Sequence, residues 1–396
     1  MRRKEYAGES IVETSGAMMK HCGRKAMMAT ALWLGVATVA LCGQAPEGPM
    51  TPAAGTAIQQ APKIKVRTVL VNTPVTVRDG QGEMVHNLEE SDFRVTDNGV
   101  PQRITHFNLG GDPISLVVVV ETSARIEPLL PQIRKTGILI GQAVIGPTGE
   151  GAVVGYDDRV STLLDFTDNL DEIEKTLSGL AEGSGNARLF DAMSKAVEML
   201  STRPEVSETQ LGKRRVMLVI GEAHDSGSEE KLGEVLRRAQ LANVTIYTVG
   251  VSGLKSDLKR KPEEKPAHKA TPDGIFGMPG PPGTVQTPDY DASALGGVNI
   301  LALAIWAVTH AKDKVTAHQL EIAAAATGGE HVSAWKDRTI EKMIDDIGGE
   351  LHAQYTLTYT PSGGATDGYH EINVTVNRKD LTVRARPGYY IEAPAS

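Results

Sequence analysis

The sequence has few aromatic residues, few cysteines and no excess of positive charge, and several large classes of protein depend on these features. Aromatic residues make up 4% of its 396 positions, so base-stacking and aromatic sugar-binding surfaces are unsupported. A formal net charge of −8 gives no electrostatic reason to expect a nucleic acid as a partner. The two cysteines, Cys22 and Cys42, both lie near the amino terminus, which leaves the body of the chain without a disulfide framework or a cysteine metal site.

Common short motifs of enzymes are also missing. The sequence contains no HExxH, no GxxxxGK(S/T) and no strand-linked GxGxxG, and its ten histidines show no paired ligand spacing. Asp225 and Ser226 resemble the setting of a serine nucleophile, but Glu229, three residues after Ser226, predicts a helix capping box instead. Asp157 and Asp158 are neighbours in a predicted turn, where side chains usually point apart. We therefore expect that the protein is not an enzyme. The alternative is a hydrolase whose catalytic residues the sequence does not disclose.

The amino-terminal segment has the pattern of an export signal. Arg24 and Lys25 precede a charge-free stretch of 16 residues, 26–41. This length suits the apolar region of a signal peptide better than the ~20 residues of a full membrane span. We expect cleavage near Ala45, with an uncleaved anchor or a lipid on Cys42 as alternatives. The body of the protein is then periplasmic, envelope-associated or secreted.

An apolar β run at residues 114–120 organises the rest of the chain. It is aliphatic throughout apart from Ser115, as expected for a strand that a parallel sheet buries on both faces. From residue 112 to residue 251 such runs alternate with helical patterns, which predicts a doubly wound, mainly parallel sheet of Rossmann-like type. Five parallel-type strands are predicted, at residues 114–120, 151–156, 160–166, 215–221 and 244–251.

Both flanks of this region predict further strands. Residues 64–110 alternate in the β manner and carry a hairpin signal at Asp97-Asn98-Gly99. Residues 354–391 return to the same alternation, so we expect a small accessory β unit built from the two flanks. Residues 255–299 combine a charge run with GMPGPPG, and with only about two G-x-y triplets they predict a flexible insertion rather than collagen.

Three segments of the central region resemble von Willebrand factor A-type domains. They are YDDRV at residues 156–160, ARLFDA at 187–192 and VMLVIGEAHDS at 216–226. The flanks NLEESDFRVTDNGVPQRITHF (87–107) and LTVRARPGYY (381–390) extend the resemblance, over about residues 64–391, to the VWFA-related proteins of Acidobacteria. The resemblance implies the fold firmly and the function weakly, because one fold hosts many roles.

With this resemblance the chain divides into consecutive parts. These are a signal peptide or anchor (1–45), a spacer (46–63), an N-terminal β unit (64–110), an A-like domain with the insertion at 255–299 (111–353) and C-terminal strands (354–391).

The resemblance also implies a candidate site. A-type domains that bind ligands through Mg²⁺ carry Asp-x-Ser-x-Ser after the first strand, a Thr on a second loop and an Asp after a later strand. The matching positions here are Glu121, Ser123, Arg125, Ala187 and Glu222, so only the first serine is kept.

Each departure weakens a metal site. Glutamate at position 121 moves the carboxylate outward by one methylene, and Ala187 removes an oxygen. Arg125 matters most, because a guanidinium is permanently charged and offers only donors. Our preferred hypothesis is a metal-free site in which Arg125 takes the electrostatic place of the cation and pairs with Glu121 and Glu222.

Two alternatives stay open at the site. Mg²⁺ or Ca²⁺ could bind Glu121, Ser123 and Glu222, helped by Asp225 or Asp191, with Arg125 turned outward. The residues could equally be ordinary polar groups at strand ends with no ligand. We expect no cofactor, and a role in protein–protein interaction or adhesion; a structural component of the envelope with a vestigial site is a further alternative.

Overall fold

The computed structural model describes residues 70–204, 213–251, 299–315, 317–333, 339–362 and 366–392. These residues belong to one compact unit, Lys65–Ser396. The predicted export segment, the spacer and residues 255–298 of the predicted insertion lie outside the described residues. None of the helices within the described ranges is both long and apolar enough to cross a bilayer.

The strands are given in chain order. They are β1 (Val71–Asp79), β2 (Phe93–Asp97), β3 (Val100–Gln102), β4 (Ile104–Leu109), β5 (Ile114–Glu121), β6 (Glu150–Tyr156), β7 (Val160–Thr167), β8 (Arg214–Gly221), β9 (Val244–Gly250), β10 (His331–Ser333), β11 (Tyr355–Tyr359), β12 (Gly368–Val376), β13 (Leu381–Ala385) and β14 (Gly388–Ile391).

The α-helices are α1 (Leu130–Ile133), α2 (Gly137–Leu139), α3 (Leu170–Ser178), α4 (Leu189–Ser201), α5 (Leu232–Leu241), α6 (Ile300–Thr309), α7 (Gln319–Thr327) and α8 (Ile340–Ala353). Short 3-10 helices lie at Glu90–Asp92, Ala124–Leu129 and Arg134–Thr136, and a π-helix lies at Ile140–Ile145. Residues 124–145 thus form a run of mixed helical turns and not one regular α-helix. Pro128 lies inside its first 3-10 turn, where a missing N–H and a bulky ring disfavour regular α-helix.

The central sheet has six strands in the order β10-β9-β8-β5-β6-β7. Neighbours run parallel except β6 and β7, which pair antiparallel. This confirms the predicted doubly wound, mainly parallel α/β fold. The expectation that β7 is parallel was wrong, because only three residues connect it to β6 and a parallel crossover needs about a dozen. Strand β10 was missed because three residues show no readable alternation.

Alternate side chains of the central strands feed two hydrophobic cores. All eight residues of β5 are buried. Val117 and Val119 point into a core shared with α4, α5, α6 and α7. Leu116 and Val118 point into the opposite core, shared with α3, α8 and the mixed helical run. Burial on both faces explains why the strand reads as an unbroken apolar run.

The flanks form two four-stranded sheets, ordered β13-β1-β11-β4 and β14-β12-β2-β3. Each sheet combines strands from both ends of the described chain, as the predicted accessory unit required. The hairpin between β2 and β3 turns at Asn98 and Gly99, whose φ angles are 48° and 78°. Two positive φ values are typical of a type I′ turn, so the hairpin signal is confirmed.

Candidate functional site

Four of the five predicted site residues meet at one edge of the central sheet. Glu121 is the last residue of β5, and Ser123 and Arg125 follow it. Glu222 comes directly after β8, which pairs with β5. Because the carboxyl ends of parallel strands lie at the same edge, these side chains converge at the crevice where open α/β sheets bind ligands.

The carboxylate of Glu121 is fully buried and bonded on both oxygens. Oε1 accepts a hydrogen bond of 2.5 Å from the Ser123 hydroxyl, and Oε2 accepts one of 2.6 Å from the backbone N–H of Glu222. Burial raises the pKa of Glu121, while the two donors act in the opposite direction. The carboxylate therefore ties the loop after β5 to the loop after β8.

Arg125 forms an ion pair with Glu222. Its Nε lies 3.2 Å from Oε2 of Glu222, and the two side chains are 39% and 21% exposed. The expected contact with Glu222 is present. The expected second ion pair, with Glu121, is not formed in the part of the chain that the structure describes, since that carboxylate is occupied by its own two donors.

A third loop crosses beside Ser123. The N–H of Gly183 donates to the carbonyl of Thr122 at 2.7 Å, and the N–H of Ala124 donates to the carbonyl of Ser184 at 2.8 Å. The Asp157 carboxylate also anchors this segment, because it accepts a hydrogen bond of 3.0 Å from the N–H of Ser184.

Ala187 is brought to the loop after β8 and is fully buried. Its N–H donates to the Ser226 hydroxyl at 2.9 Å, and its carbonyl accepts the N–H of Ser226 at 3.0 Å. The predicted capping box between Ser226 and Glu229 was therefore wrong. Helix α5 begins at Leu232, and its N-cap residue Lys231 makes no side-chain cap bond.

Side-chain oxygens accept the backbone N–H groups at the start of α4 and in the segment before α5. The Ser228 hydroxyl accepts the N–H groups of Phe190 at 3.0 Å and Asp191 at 3.1 Å, and donates to Asp225 at 2.5 Å. In return Asp191 accepts the N–H of Glu230 at 3.0 Å. Both aspartates considered as extra metal ligands are thus engaged in holding the loops.

Two residues of the site were missed by the sequence interpretation. Tyr156, at the end of β6, has a buried hydroxyl with no hydrogen-bond partner among the described residues. A Cβ on Gly221 would lie 2.3 Å from that hydroxyl oxygen and 2.8 Å from Oε2 of Glu121, so glycine is required there. Burial and then the charge of Glu121 raise the pKa of Tyr156 well above its ordinary value. Its place at the carboxyl end of a parallel strand was the signal that could have identified it.

A groove of about 740 Å³ opens next to these residues. Thr122 and Gly183 line its end at the site, and Leu163 of β7 and Lys175 of α3 line its walls. Leu163 is 42% exposed, which makes it one of few exposed large apolar side chains in the described ranges. A concave surface with apolar and charged walls therefore adjoins the loop at Thr122.

In the described residues, no group of three or more histidine, cysteine or acidic side chains is arranged to hold a metal ion. The two acidic residues of the candidate site contact protein groups. Glu121 uses both oxygens for protein donors, and Glu222 faces the guanidinium of Arg125.

Comparison with known proteins identifies the central region. Residues 115–271 match the family model of the von Willebrand factor type A domain, so the chain contains a domain of this family. No curated protein matches the sequence.

Solved structures give weak similarities. BatB from Bacteroides thetaiotaomicron has a TM-score of 0.36 at 14% identity, over 60% of this chain and 98% of that chain. An aerotolerance-related membrane protein from Bacteroides fragilis NCTC 9343 has a TM-score of 0.35 at 13% identity, over 60% and 98%. The SpRpn10 VWA domain has a TM-score of 0.33 at 13% identity, over 59% and 93%.

Proposed function

We propose that this chain is an exported, non-enzymatic protein whose A-type domain binds another protein through the loops around Glu121, Ser123, Arg125 and Glu222, without a bridging cation. The observation that carries the proposal is the ion pair between Arg125 and Glu222 at the carboxyl edge of the central sheet. Ala187, at the fourth position of the family pattern, packs against the same loops and has no side-chain oxygen.

The charges favour a site without a metal. A guanidinium keeps its charge at any physiological pH and offers only donors, so it repels a divalent cation and cannot ligate one. Each oxygen of Glu121 already accepts a hydrogen bond, from Ser123 or from the N–H of Glu222, so Mg²⁺ would have to rearrange or compete with these bonds. Loss of bonds at a buried carboxylate costs roughly 1–3 kcal/mol each, which metal binding would have to exceed.

The same arrangement suits recognition of a protein. Arg125 is anchored at one nitrogen by Glu222 and remains partly exposed, so its guanidinium can donate to a partner. The loops that carry it are fixed to one another by backbone hydrogen bonds. The neighbouring groove gives a partner segment a concave surface to contact.

The proposed location rests on the sequence. The cationic and apolar pattern of residues 24–41 supports export. The motifs at residues 87–107 and 381–390 support an assignment to the VWFA-related proteins of Acidobacteria.

A site-specific crosslinking experiment tests the proposal. A photo-crosslinking amino acid replaces Ala124, which is exposed beside Arg125, and in a control chain replaces Lys379, which is exposed near β13. We expect a defined adduct in envelope fractions from position 124 alone, and its loss when Arg125→Ala is added. An adduct that persists in Arg125→Ala contradicts the proposed site. An adduct between two copies of this chain supports instead the alternative of a structural component of the envelope, in which the site is buried between copies.

A further inference from the structure

A charged cluster lies where the flanking sheet meets the A-type domain, away from the candidate site. Arg78 of β1 and Arg384 of β13 come from neighbouring strands. Because Arg384 pairs with Thr76, two residues before Arg78, both arginines are on the same face of the sheet. They reach two glutamates of the domain, Glu330 before β10 and Glu350 of α8.

The two glutamates share the same two guanidinium groups. Glu350 is 1% exposed at its side chain and is bonded by Arg384, by Nη2 of Arg78 at 3.0 Å and by the Tyr247 hydroxyl at 2.8 Å. Glu330 is 34% exposed and lies 3.1 Å from Nη2 of Arg384 and 3.5 Å from Nη2 of Arg78. Two carboxylates held against one pair of cations repel each other, so a proton on one of them relieves the strain of keeping both charged.

We propose that these four side chains form a proton-sensitive clasp, through which the A-type domain holds the sheet β13-β1-β11-β4 more firmly when Glu330 takes up a proton. The proton goes to Glu330 because it is the more weakly bonded acid of the two. Glu350 stays ionised because it has the two arginines, Tyr247 and the amide of Gln354 at 3.3 Å as donors.

The electrostatics of the pair agree with this assignment. Burial raises the pKa of Glu330 to about 7, with Glu350 adding to the rise and Arg384 and Arg78 opposing it. Burial also opposes ionisation of Glu350, but Arg384, Glu330 and Tyr247 together lower its pKa to about 2. A further charged neighbour among the described residues, Arg214 of β8, contacts the cluster through Gln354.

The direction of the pH effect follows from the raised pKa. A carboxyl group that holds its proton more tightly in the docked form stabilises that form fully below its ordinary pKa of 4.5. The contribution is lost as the pH rises through about 7. The clasp is therefore firmer at pH 6 than at pH 8.

Hydrogen exchange on the full chain tests the clasp. With rates corrected for the intrinsic pH dependence of exchange, protection of the β1 and β13 amides should rise about tenfold from pH 8 to pH 6. Amides of β5 should change less than about twofold, because the clasp governs docking of the flanking sheet and not the central sheet. Glu330→Gln, which mimics the protonated acid, should hold the protection of β1 and β13 at the pH 6 level at both values. Glu83→Gln, an exposed change on the turn after β1, should keep the tenfold response.

Two results overturn the proposal. One is a wild-type response that is absent or equally large in β5, since that is ordinary global stability. The other is a tenfold response that persists in Glu330→Gln. If that variant does not fold, the wild-type comparison between β13 and β5 decides alone.

Discussion

Nε of Arg125 lies 3.2 Å from Oε2 of Glu222, and the backbone N–H of that same Glu222 donates to Glu121. One residue thus connects the exposed guanidinium to the buried carboxylate. Substitution of Arg125, Glu222 or Glu121 should therefore alter the contacts of the other two residues, and this can be tested directly.

Removal of the guanidinium should open the site to metal. We expect no calorimetric heat from Mg²⁺, Mn²⁺ or Ca²⁺ with the wild-type body, residues 46–396, and measurable binding with Arg125→Ser, because the change removes a positive charge and adds an oxygen. Arg159→Ser is the matched control, since Arg159 is a highly exposed arginine on the turn after β6. Metal binding by the wild-type chain that is lost in Glu222→Ala would falsify the metal-free hypothesis.

Loss of the Ser123 hydroxyl should disturb Glu121. In Ser123→Ala one buried carboxylate oxygen loses its donor, so the chain should be destabilised by about 1–3 kcal/mol. Because the hydroxyl lowers the pKa of Glu121, the variant should raise it further above the ordinary value. A raised carboxyl pKa stabilises the fold below the ordinary value and loses this contribution as the pH rises through the folded value, so the penalty should grow with pH. Chemical denaturation at several pH values measures this, and a penalty that is flat with pH contradicts it.

A methyl group at position 221 should not fit. The Cβ of Gly221→Ala would lie 2.3 Å from the Tyr156 hydroxyl oxygen, so we expect a destabilisation of about 1–3 kcal/mol. Gly185→Ala, where nothing lies within 4 Å of the new Cβ, should change stability by less than about 0.5 kcal/mol. Adding Tyr156→Phe to Gly221→Ala should recover part of the loss, because it deletes the clashing oxygen. Equal effects of the two glycine changes in thermal unfolding count against this account.

Helix α4 should depend on a hydroxyl from another loop. Ser228→Ala removes the acceptor for the N–H groups of Phe190 and Asp191, which should cost about 0.5–2 kcal/mol, as loss of a helix cap does. Hydrogen exchange should speed up at these two amides. Ser178→Ala, an exposed change at the end of α3, serves as the control. Unchanged exchange at Phe190 and Asp191 would show that the cap is not needed.

Much of the fold could be predicted because its signals are local. The aliphatic run at residues 114–120 identifies the central strand, and Asn98-Gly99 identifies a hairpin through the φ values that only a few residues adopt readily. The direction of β7 was missed although the short link from β6 determines it. Strand β10 left no signal, because it becomes a strand only by pairing with β9.

The candidate site was predictable in part. The resemblance to A-type domains implied that Glu121, Ser123 and Glu222 lie together, and they do so because residues that follow neighbouring parallel strands converge. No pattern in the sequence indicated that Glu121 would accept the N–H of Glu222, or that Arg125 would pair with Glu222 and not with Glu121. That choice depends on side-chain conformation and burial at the site.

The sequence by itself determined the order of strands and helices, the hydrophobic faces that they bury and the charges available at the strand ends, because periodicity and composition act along the chain. Only the tertiary structure decided which acid faces which base. Arg78 and Glu350 are 272 residues apart in sequence, yet the packing of the flanking sheet against α8 places their side chains 3.0 Å apart. The energy of such a pair depends on distance and on exclusion of water, and both exist only once the chain has folded.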